Sequence, residues 1–446
     1  MRRPPLSGLL ALAATVPGVV VALAGAEVPA PVAALVFGGA IVGAAFVLAW
    51  AAEAAQVDVS AGLAVAVLAL IAVLPEYSVD FVFAWRGGEA ARQWGADCQP
   101  PGGDGTPACS LALANMTGAN RILVGIGWVV VVLIAWRRSK ERGITLGRAD
   151  AVPLAFLTIA SLYCLILPFK RTLTLWDTVV LVAVFVAYSW RVSRAPAGEP
   201  ELIGPSAWVG NLAKVPRRTT VIALFLVSAA VILLAAEPFA QSLVDTGRQL
   251  GISQFLLVQW VAPLASEAPE LLVAGLYAYR LHTTEALGAL VSSKVNQWTL
   301  LVGTLPVVFA ASSRGWSGLP IEPAQRGELL LTAAQSLLAI ALLLGLTLSL
   351  RAALVLLGLF LVQFVLAAVL PREHHGRELV ALSVVYLALA VVAVVRKRAC
   401  LVPMLRDGLL TRYSDLGGEM HCTTTGGGRL RLRTRLRAAM SVHPNG

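Results

Sequence analysis

The sequence contains few charged side chains. Asp, Glu, Lys and Arg account for 13% of its 446 residues and hydrophobic residues for 58%, and the mean hydropathy is +0.78. Because soluble domains carry about 25% charged residues, the composition excludes a soluble protein and predicts a polytopic protein embedded in a lipid bilayer. The net charge of +10 does not indicate a nucleic-acid partner, because the basic residues cluster beside apolar runs.

Histidine is also scarce. The chain has five histidines, and the only adjacent ones are His374 and His375 in a short connection. A membrane enzyme would need a nucleophile with its base, or a metal cluster. The sequence shows neither, so we expect no enzymatic activity and no cofactor, and a polytopic membrane enzyme is the least favoured alternative.

Apolar runs divide the chain into twelve predicted membrane-spanning helices. A span needs roughly 20 apolar residues. We place the spans at residues 7–25, 32–54, 62–85, 111–136, 151–169, 175–192, 219–236, 252–279, 285–310, 328–349, 352–370 and 378–395. The first run follows Met1-Arg2-Arg3 without a convincing cleavage site, so we interpret it as a span and not as a signal peptide.

Basic residues alternate between the connections as the positive-inside rule describes. They concentrate in the connections 137–148, 193–218 and 396–398. These segments share one side of a twelve-span topology, which predicts that both termini are cytoplasmic and that the protein lies in the cell membrane. Loop 87–110 then lies outside.

The five cysteines divide by their predicted side of the membrane. Cys98 and Cys109 lie in the outer loop, where the environment is oxidising, so we predict a disulfide between them; two free thiols are the alternative. Cys164 is expected in the helical core. Cys400 and Cys422 follow the last span on the cytoplasmic side, where we expect both to be reduced.

Two carboxylates stand out in the stretch 260–272. Glu267 and Glu270 interrupt an otherwise apolar run, and Arg280 follows Glu270 by ten residues. That is about 15 Å along a helix, half of a hydrocarbon core roughly 30 Å thick, so Glu270 lies near the midplane. A charge there costs about 2.5–3.5 kcal/mol. Pro269 should kink or break the helix, and acidic residues at a broken helix at this depth indicate an ion site.

The same pattern occurs earlier, at Pro75-Glu76, again ten residues before an arginine, Arg86. Each Pro-Glu follows an Ala-Glu pair and a β-branched–Ser step, and precedes a helix with a small, polar centre. The corresponding segments are Ala52-Glu53 with Ala236-Glu237, Val59-Ser60 with Ile252-Ser253, and Ala114–Asn120 with Gly288–Lys294. We interpret them as an internal repeat; chance similarity between two Ala/Leu/Val-rich helices is the alternative.

The two copies of the repeat enter the membrane from opposite sides in the predicted topology. Inverted repeats of this kind are common in secondary transporters, whose substrate lies at the midplane between the halves. The paired Pro-Glu helices resemble the α-repeats of the sodium/calcium exchangers, in the cation/calcium antiporter superfamily. The resemblance is closest over residues 32–136 and 219–310.

This resemblance implies an all-α fold of two inverted five-helix repeats with broken Pro-Glu helices, plus one extra helix at each end. The predicted divisions are an extra N-terminal helix at 1–31, the first repeat at 32–192, a cytoplasmic linker at 193–218, the second repeat at 219–370, an extra C-terminal helix at 371–398, and a disordered basic tail at 399–446.

It also implies a function. We expect a secondary active antiporter that exchanges calcium or a related cation for sodium or protons by alternating access, with inorganic cations as its partners. A transport-inactive membrane sensor or scaffold is the main alternative. The sequence leaves the oligomeric state open, a monomer included.

The family's two calcium-binding glutamates correspond to Glu76 and Glu270. Calcium takes several oxygen ligands, carboxylates among them. Further candidate ion-binding residues are Glu267, Asp80, Asn120, Ser266, Ser293 and Gln297, with Asn115, Thr117 and Asn296 as weaker ones. For the uncharged residues, helix–helix hydrogen bonding is the alternative.

The chain departs from the family's motif at several oxygen positions. Ala72, Val73 and Leu123 replace polar residues, and Lys294 stands where an amide is expected. A lone ammonium at this depth needs a carboxylate partner or must be neutral. We therefore expect Lys294 to pair with one of the acids or to couple proton movement to transport. Arg121, beside Asn120, has no evident partner in the sequence.

Overall fold

The computed structural model of the protein describes residues 5–58, 74–101, 106–195, 202, 204–369, 375–418, 420 and 422. Helices dominate these residues. We number them α1 Leu6–Ala24, α2 Ala30–Ala55, α3 Leu74–Trp94, α4 Ala108–Ile122, α5 Val129–Ser139, α6 Ala151–Cys164, α7 Leu175–Val192, α8 Pro205–Gly210, α9 Lys214–Leu250, α10 Gln254–Tyr279, α11 Thr283–Asn296, α12 Val302–Ser313, α13 Pro323–Leu343, α14 Leu350–Val369, α15 His375–Arg396 and α16 Arg398–Leu409.

Ten helical segments of the described chain are long and apolar enough to cross a membrane, and α14 adds a shorter apolar helix at Leu350–Leu366. Eleven of the twelve predicted spans coincide with these segments. The remaining span, 62–85, lies partly outside the described residues, as do the Val59-Ser60 step and the positions of Ala72 and Val73. The prediction of an all-α polytopic membrane protein is confirmed.

Helix packing follows the inverted repeat. The two Pro-Glu helices cross into opposite halves, so that α3 packs against α12 and α10 packs against α4. Likewise α3 contacts α9, while α10 contacts α2. Helices α2 and α9, the first of each repeat, pack along one another. Each half therefore completes the surroundings of the other half's Pro-Glu helix.

Short strands also connect the halves. β1, Gly143–Thr145, pairs antiparallel with β4, Thr347–Ser349. β2, Thr172–Leu173, pairs antiparallel with β3, Leu319–Pro320. Each pair joins a connection of the first repeat to a connection of the second, so the backbone ladders fix the two repeats to each other at the ends of the helices.

The long spans after the Pro-Glu helices each contain a π-helical turn. Leu123–Trp128 joins α4 to α5, and Gln297–Leu301 joins α11 to α12. Both turns begin within three residues of a buried asparagine, Asn120 or Asn296. Single π turns inside α-helices are frequent at functional sites.

Helix α10 contains two prolines, Pro263 and Pro269. Of the two outcomes expected at Pro269, a kink or a break, the structure has no break, because Gln254–Tyr279 is one continuous helix. Pro263 has no backbone N–H, so the carbonyl of Gln259 lacks its helical donor. A Cβ added to Gly118 would lie 1.7 Å from that oxygen, so α4 and α10 approach closely at this point because residue 118 is glycine.

The C-terminal segment departs from the prediction of a disordered tail that begins at residue 399. Helix α16 buries one face, formed by Cys400, Met404, Asp407 and Gly408, and this spacing is that of an amphipathic helix. The Asp407 carboxylate pairs with Arg148 at 2.9 Å, which holds α16 against α6. Residues 423–446 of the predicted tail lie outside the described residues.

The structure can be compared with the predicted redox states of the cysteines. Cys98 and Cys109 form a disulfide, with a Cα–Cα distance of 5.8 Å. Cys400 and Cys422 also form a disulfide, with Cα atoms 4.9 Å apart, so the expectation that both are reduced is wrong. The cause is the fold of the tail: the chain turns back after α16 and brings residue 422 to the start of that helix. Cys164 is a buried free thiol, as expected.

Candidate cation-binding site

Two acids from opposite halves meet in the centre of the helix bundle. Glu76, in the first turn of α3, is 3% exposed, and Glu267, in the middle of α10, is 1% exposed. Their carboxyl groups lie close enough to interact electrostatically with each other. Gln297 supports the arrangement by donating from Nε2 to Glu267 Oε1 at 2.7 Å. The inverted repeat therefore brings together two residues that are 191 positions apart in the sequence.

Glu270 lies one helical turn from Glu267 and lines a cavity of about 370 Å³. Ser293 donates from Oγ to Glu270 Oε2 at 2.6 Å. The cavity is lined by residues of α2, α3, α7, α10 and α11, namely Ala45, Ala49, Pro75, Phe185, Tyr188, Ser189, Val192, Ser266, Pro269, Glu270, Val273, Ala274, Tyr277, Ala289, Leu290, Ser292, Ser293 and Asn296. The cavity reaches one of the three acids, while Glu76 and Glu267 lie behind its wall.

Several buried oxygens of this region have no hydrogen-bond partner among the described residues. They are Glu76 Oε1, Glu267 Oε2, Asp80 Oδ2, Asn115 Oδ1, Asn120 Oδ1 and Gln297 Oε1. Buried oxygens are almost always paired in proteins, so a cluster of unpaired ones calls for a partner from outside the chain, such as a cation, a proton or water. Calcium takes six to eight oxygen ligands, and the cluster has the chemistry that it requires.

Lys294 is fully buried, and its partner differs from the predicted one. Its ammonium donates to the backbone carbonyl of Asn120 at 2.6 Å and lies 5.6 Å from the centre of the Trp298 ring. No carboxylate of the described chain lies within ion-pair distance of it. The lysine therefore joins α11 to α4 through a carbonyl.

The remaining candidate residues divide into two groups. Asp80 and Asn115 contact each other, with Asn115 Nδ2 donating to Asp80 Oδ1 at 2.9 Å, one turn beyond Glu76. Asn296 accepts a hydrogen bond from the Tyr77 hydroxyl at 3.2 Å. Ser266 and Thr117, by contrast, bond only to carbonyls of their own helices, and the Asn120 amide nitrogen bonds to Met116 O. Asp80, Asn115 and Asn120 each keep one oxygen without a partner among the described residues.

The geometry of the site is that of a buried oxygen cluster shared by two inverted repeats. A metal centre made of three or more His, Cys, Asp or Glu side chains is not found within the part of the chain that the structure describes. Two blocks of the sequence, residues 29–193 and 220–369, match the family model of the sodium/calcium exchanger protein. The chain belongs to the sodium/calcium exchanger family. The two matched blocks of this exchanger contain the two helical repeats, and α1, α8, α15 and α16 lie outside them.

Solved structures give the same relationship. The crystal structure of the H⁺/Ca²⁺ exchanger CAX is 38% identical to this exchanger, with a TM-score of 0.81, and the match covers 90% of this chain and 96% of that one. The native structure of YfkE is 15% identical, with a TM-score of 0.57, and the match covers 80% of this chain and 98% of that one. This likeness concerns the fold alone. No curated protein matches the chain.

The predicted function class is confirmed by the family: the protein is a secondary cation antiporter, and its family is one of transporters and not a class of enzymes. Nothing in the comparisons favours the transport-inactive alternative. Because the family is defined by its two repeats, the buried oxygen cluster between them is the candidate site for the transported cation.

Sequence reasoning left Arg121 of the exchanger unexplained, and the structure pairs it with a distant residue. Its guanidinium lies 2.6 Å from Glu328 Oε2 on α13, which makes an ion pair, although the angle is not that of a regular hydrogen bond. The guanidinium also lies 4.9 Å from the centre of the Trp260 ring. The sequence feature that could have pointed to this partner is Glu328 itself, an acid at the start of a predicted span. This buried ion pair connects α4 to α13 beside the oxygen cluster.

Proposed function

We propose that this exchanger moves Ca²⁺ in one direction and protons in the other, at a site formed by Glu76, Glu267 and Glu270. The observation that carries the proposal is the close approach of Glu76 and Glu267, two buried acids from opposite repeats that each keep one carboxyl oxygen without a partner among the described residues. Two carboxylates this close repel each other unless a proton or a cation lies between them. The same pair can therefore hold protons or bind a divalent cation, but not both at once.

The unpaired oxygens support calcium as the cation. Glu76 Oε1, Glu267 Oε2, Asn120 Oδ1 and Gln297 Oε1 are buried without partners, and Glu270 adds a carboxylate at the cavity wall. Calcium accepts carboxylate and amide oxygens in flexible geometry. When it binds, the acids must be ionised, so protons are released. When it leaves, protons return to the same oxygens.

The residues around the cluster favour protons over sodium as the counter-ion. A sodium site needs further oxygen ligands, and this chain has Ala119 and Leu123 at two positions where the family has polar side chains. Lys294 replaces a third, and its ammonium cannot bind a cation. A proton needs only the carboxyl groups themselves. The 38% identity to an H⁺/Ca²⁺ exchanger supports the same choice.

The position of the cavity supports alternating access with one side open. It is lined by Val192, at the end of α7, and by Tyr277, near the end of α10. Both ends lie opposite the loop that carries the Cys98–Cys109 disulfide. We propose that the termini are cytoplasmic in the cell membrane, so that the cavity opens to the cytoplasm and the disulfide loop lies outside.

The experiment is a flux assay in proteoliposomes. Vesicles loaded with buffer at one pH are diluted into another, and calcium entry is followed with a fluorescent indicator, with and without sodium or potassium gradients. We expect an outward proton gradient to drive calcium accumulation in the vesicles when sodium is absent. Flux that follows a sodium gradient and ignores the pH gradient would refute proton coupling.

The site is tested in the same assay with Glu76→Gln and Glu270→Gln. Each keeps the shape of the side chain and removes its charge, so calcium flux should be abolished while the protein stays folded in the membrane. Glu285→Gln, on the exposed first turn of α11, is the matched control and should transport normally. Normal flux in both site variants would remove the proposed site.

A further inference from the structure

A charged contact connects α3 to α9 near the disulfide loop. Arg86 of α3 pairs with Glu237 of α9 at 3.1 Å, and its guanidinium also contacts the Gln241 side chain one turn further along α9. The carbonyl oxygen of the next residue, Gly87, lies 3.3 Å from the disulfide sulfur of Cys109, which places the ion pair on the membrane face that carries the disulfide. We call Arg86–Glu237 the first clasp.

Both members of the first clasp have counterparts in the other repeat. Arg86 follows Glu76 by ten residues, as Arg280 follows Glu270. Glu237 belongs to an Ala-Glu pair of α9, as Glu53 belongs to an Ala-Glu pair of α2. The helices correspond as well, since α10 packs against α2 as α3 packs against α9. The inverted repeat therefore places Arg280 and Glu53 on the opposite membrane face, in the same relation as Arg86 and Glu237.

This second pair is not formed in the present structure. Glu53 instead accepts a hydrogen bond from Ser206 at 2.6 Å. Arg280 is exposed and makes no ion pair within the described ranges of the chain. Arg138 of α5 donates from Nε to the carbonyl of Tyr279 at 3.2 Å, which places Arg280, the next residue, on the membrane face where α5 ends.

The cavity lies between the two helices whose clasp is open. Ala45 and Ala49 of α2 form one wall, and Ala274 and Tyr277 of α10 form another. Ala49 is one helical turn before Glu53, and Tyr277 is three residues before Arg280. On the other face, where the clasp is closed, Gly88 of α3 packs so tightly that an added Cβ would lie 1.8 Å from Ser312 Oγ. The open cavity and the unformed Arg280–Glu53 ion pair therefore lie between the same two helices.

We propose that Arg86–Glu237 and Arg280–Glu53 are alternating clasps of the transport cycle. The first is closed when the cavity is open, and the second closes when α2 and α10 come together and the cavity moves to the disulfide face. The inference rests on antiport by alternating access and does not depend on which ion is the counter-ion. Residue Glu237 is largely exposed, and an exposed ion pair changes an equilibrium by only about two- to five-fold, which suits a contact that must break in every cycle.

The test measures the population of the cavity-open state directly. Ala289→Cys places a thiol on the exposed cavity wall of α11, and an impermeant maleimide reports how often it is accessible. Arg86→Glu should slow labelling about two- to five-fold, because it repels Glu237 and opens the first clasp. Arg280→Glu should speed labelling, because it repels Glu53 and hinders the second clasp.

The charge-swapped pairs separate a clasp from a general charge effect. Arg86→Glu with Glu237→Arg, and Arg280→Glu with Glu53→Arg, should each return labelling to the parent rate. Arg92→Glu and Arg137→Glu, exposed arginines on α3 and α5, are the matched controls and should leave it unchanged. Unchanged labelling in Arg86→Glu or Arg280→Glu, or swaps that do not restore it, would overturn the proposal.

A second measurement tests the proposal even if the charge-reversal variants do not fold. Arg86→Cys with Glu237→Cys, joined by a short bismaleimide after folding, should stop flux of any transported ion, whereas undiminished flux of the joined protein would overturn the proposal. The labelling arm needs no ion flux. A failure of calcium–proton exchange in proteoliposomes with a normal labelling pattern would therefore count against the proposed ions and not against the clasps.

Discussion

Replacing Glu267 by Gln tests the shared-carboxyl site most sharply. Gln297 donates to Glu267 Oε1, and the side-chain carbonyl of a glutamine can accept that bond in its place. Glu267 Oε2 has no hydrogen-bond partner among the described residues, so replacing this oxygen breaks no hydrogen bond that the structure shows and alters only the approach to Glu76. The variant should therefore fold, and its effect should fall on ion binding.

The expected size follows from the loss of one charged ligand. A contact to a charged group contributes about 1.5–3 kcal/mol, which corresponds to a calcium affinity about 10- to 150-fold weaker. Because one titrating carboxyl group is gone, the number of protons released per bound calcium should also fall by about one.

Both quantities can be measured on the purified protein in detergent. Isothermal titration with calcium in buffers of different ionisation enthalpy gives the affinity and the proton count from the same experiment. Glu285→Gln serves again as the control. Calcium affinity within two-fold of the parent protein, together with an unchanged proton count, would show that Glu267 does not bind the cation or carry the exchanged proton.

Three further predictions concern residues around the site. Lys294→Asn restores the family's amide and removes the ammonium, so we expect flux to respond more to a sodium gradient and less to a pH gradient; unchanged ion dependence would make Lys294 a structural link between α11 and α4. Glu328→Gln leaves the buried Arg121 charge without its partner, which costs about 3–5 kcal/mol, and should lower the melting temperature, while Arg121→Met with Glu328→Met should recover most of it; equal melting temperatures would contradict a buried ion pair. Just after α2, hydrogen bonds from Arg217 lower the pKa of Asp58 from 3.8 to about 2, so this pairing stabilises the fold above pH 4 and is lost as pH falls toward 2. Asp58→Asn should therefore destabilise the protein at neutral pH and lose this effect near pH 2, as followed by thermal unfolding against pH.

Much of this fold follows from local signals. The length of each apolar run predicts its span, and the duplicated Pro-Glu pattern predicts which helices meet, because the inverted repeat must bring Glu76 and Glu270 to the same depth. Contacts between residues far apart in sequence were harder to predict. The partner of Lys294 is a backbone carbonyl, which carries no signature in the sequence, and the partner of Arg121 lies 207 positions away.

The C-terminal segment was missed for a different reason. Its polar and basic composition suggested disorder, yet the spacing of Cys400, Met404 and Gly408 gives one apolar face. A short helix of this kind gains its stability from packing against another element, and that element, α6, is visible only in the folded structure. The same fold-back brings Cys422 to Cys400.

The π-helical turns at Leu123–Trp128 and Gln297–Leu301 have a consequence for how this exchanger tolerates change. A π turn holds one more residue than the α-helical turn that it replaces. Deleting one residue there would restore a regular helix and keep the segments on either side in nearly the same angular register. A deletion elsewhere in the same span would instead rotate everything beyond it by about 100°. These two points should therefore tolerate the loss of one residue better than the regular turns around them, and both repeats share this property.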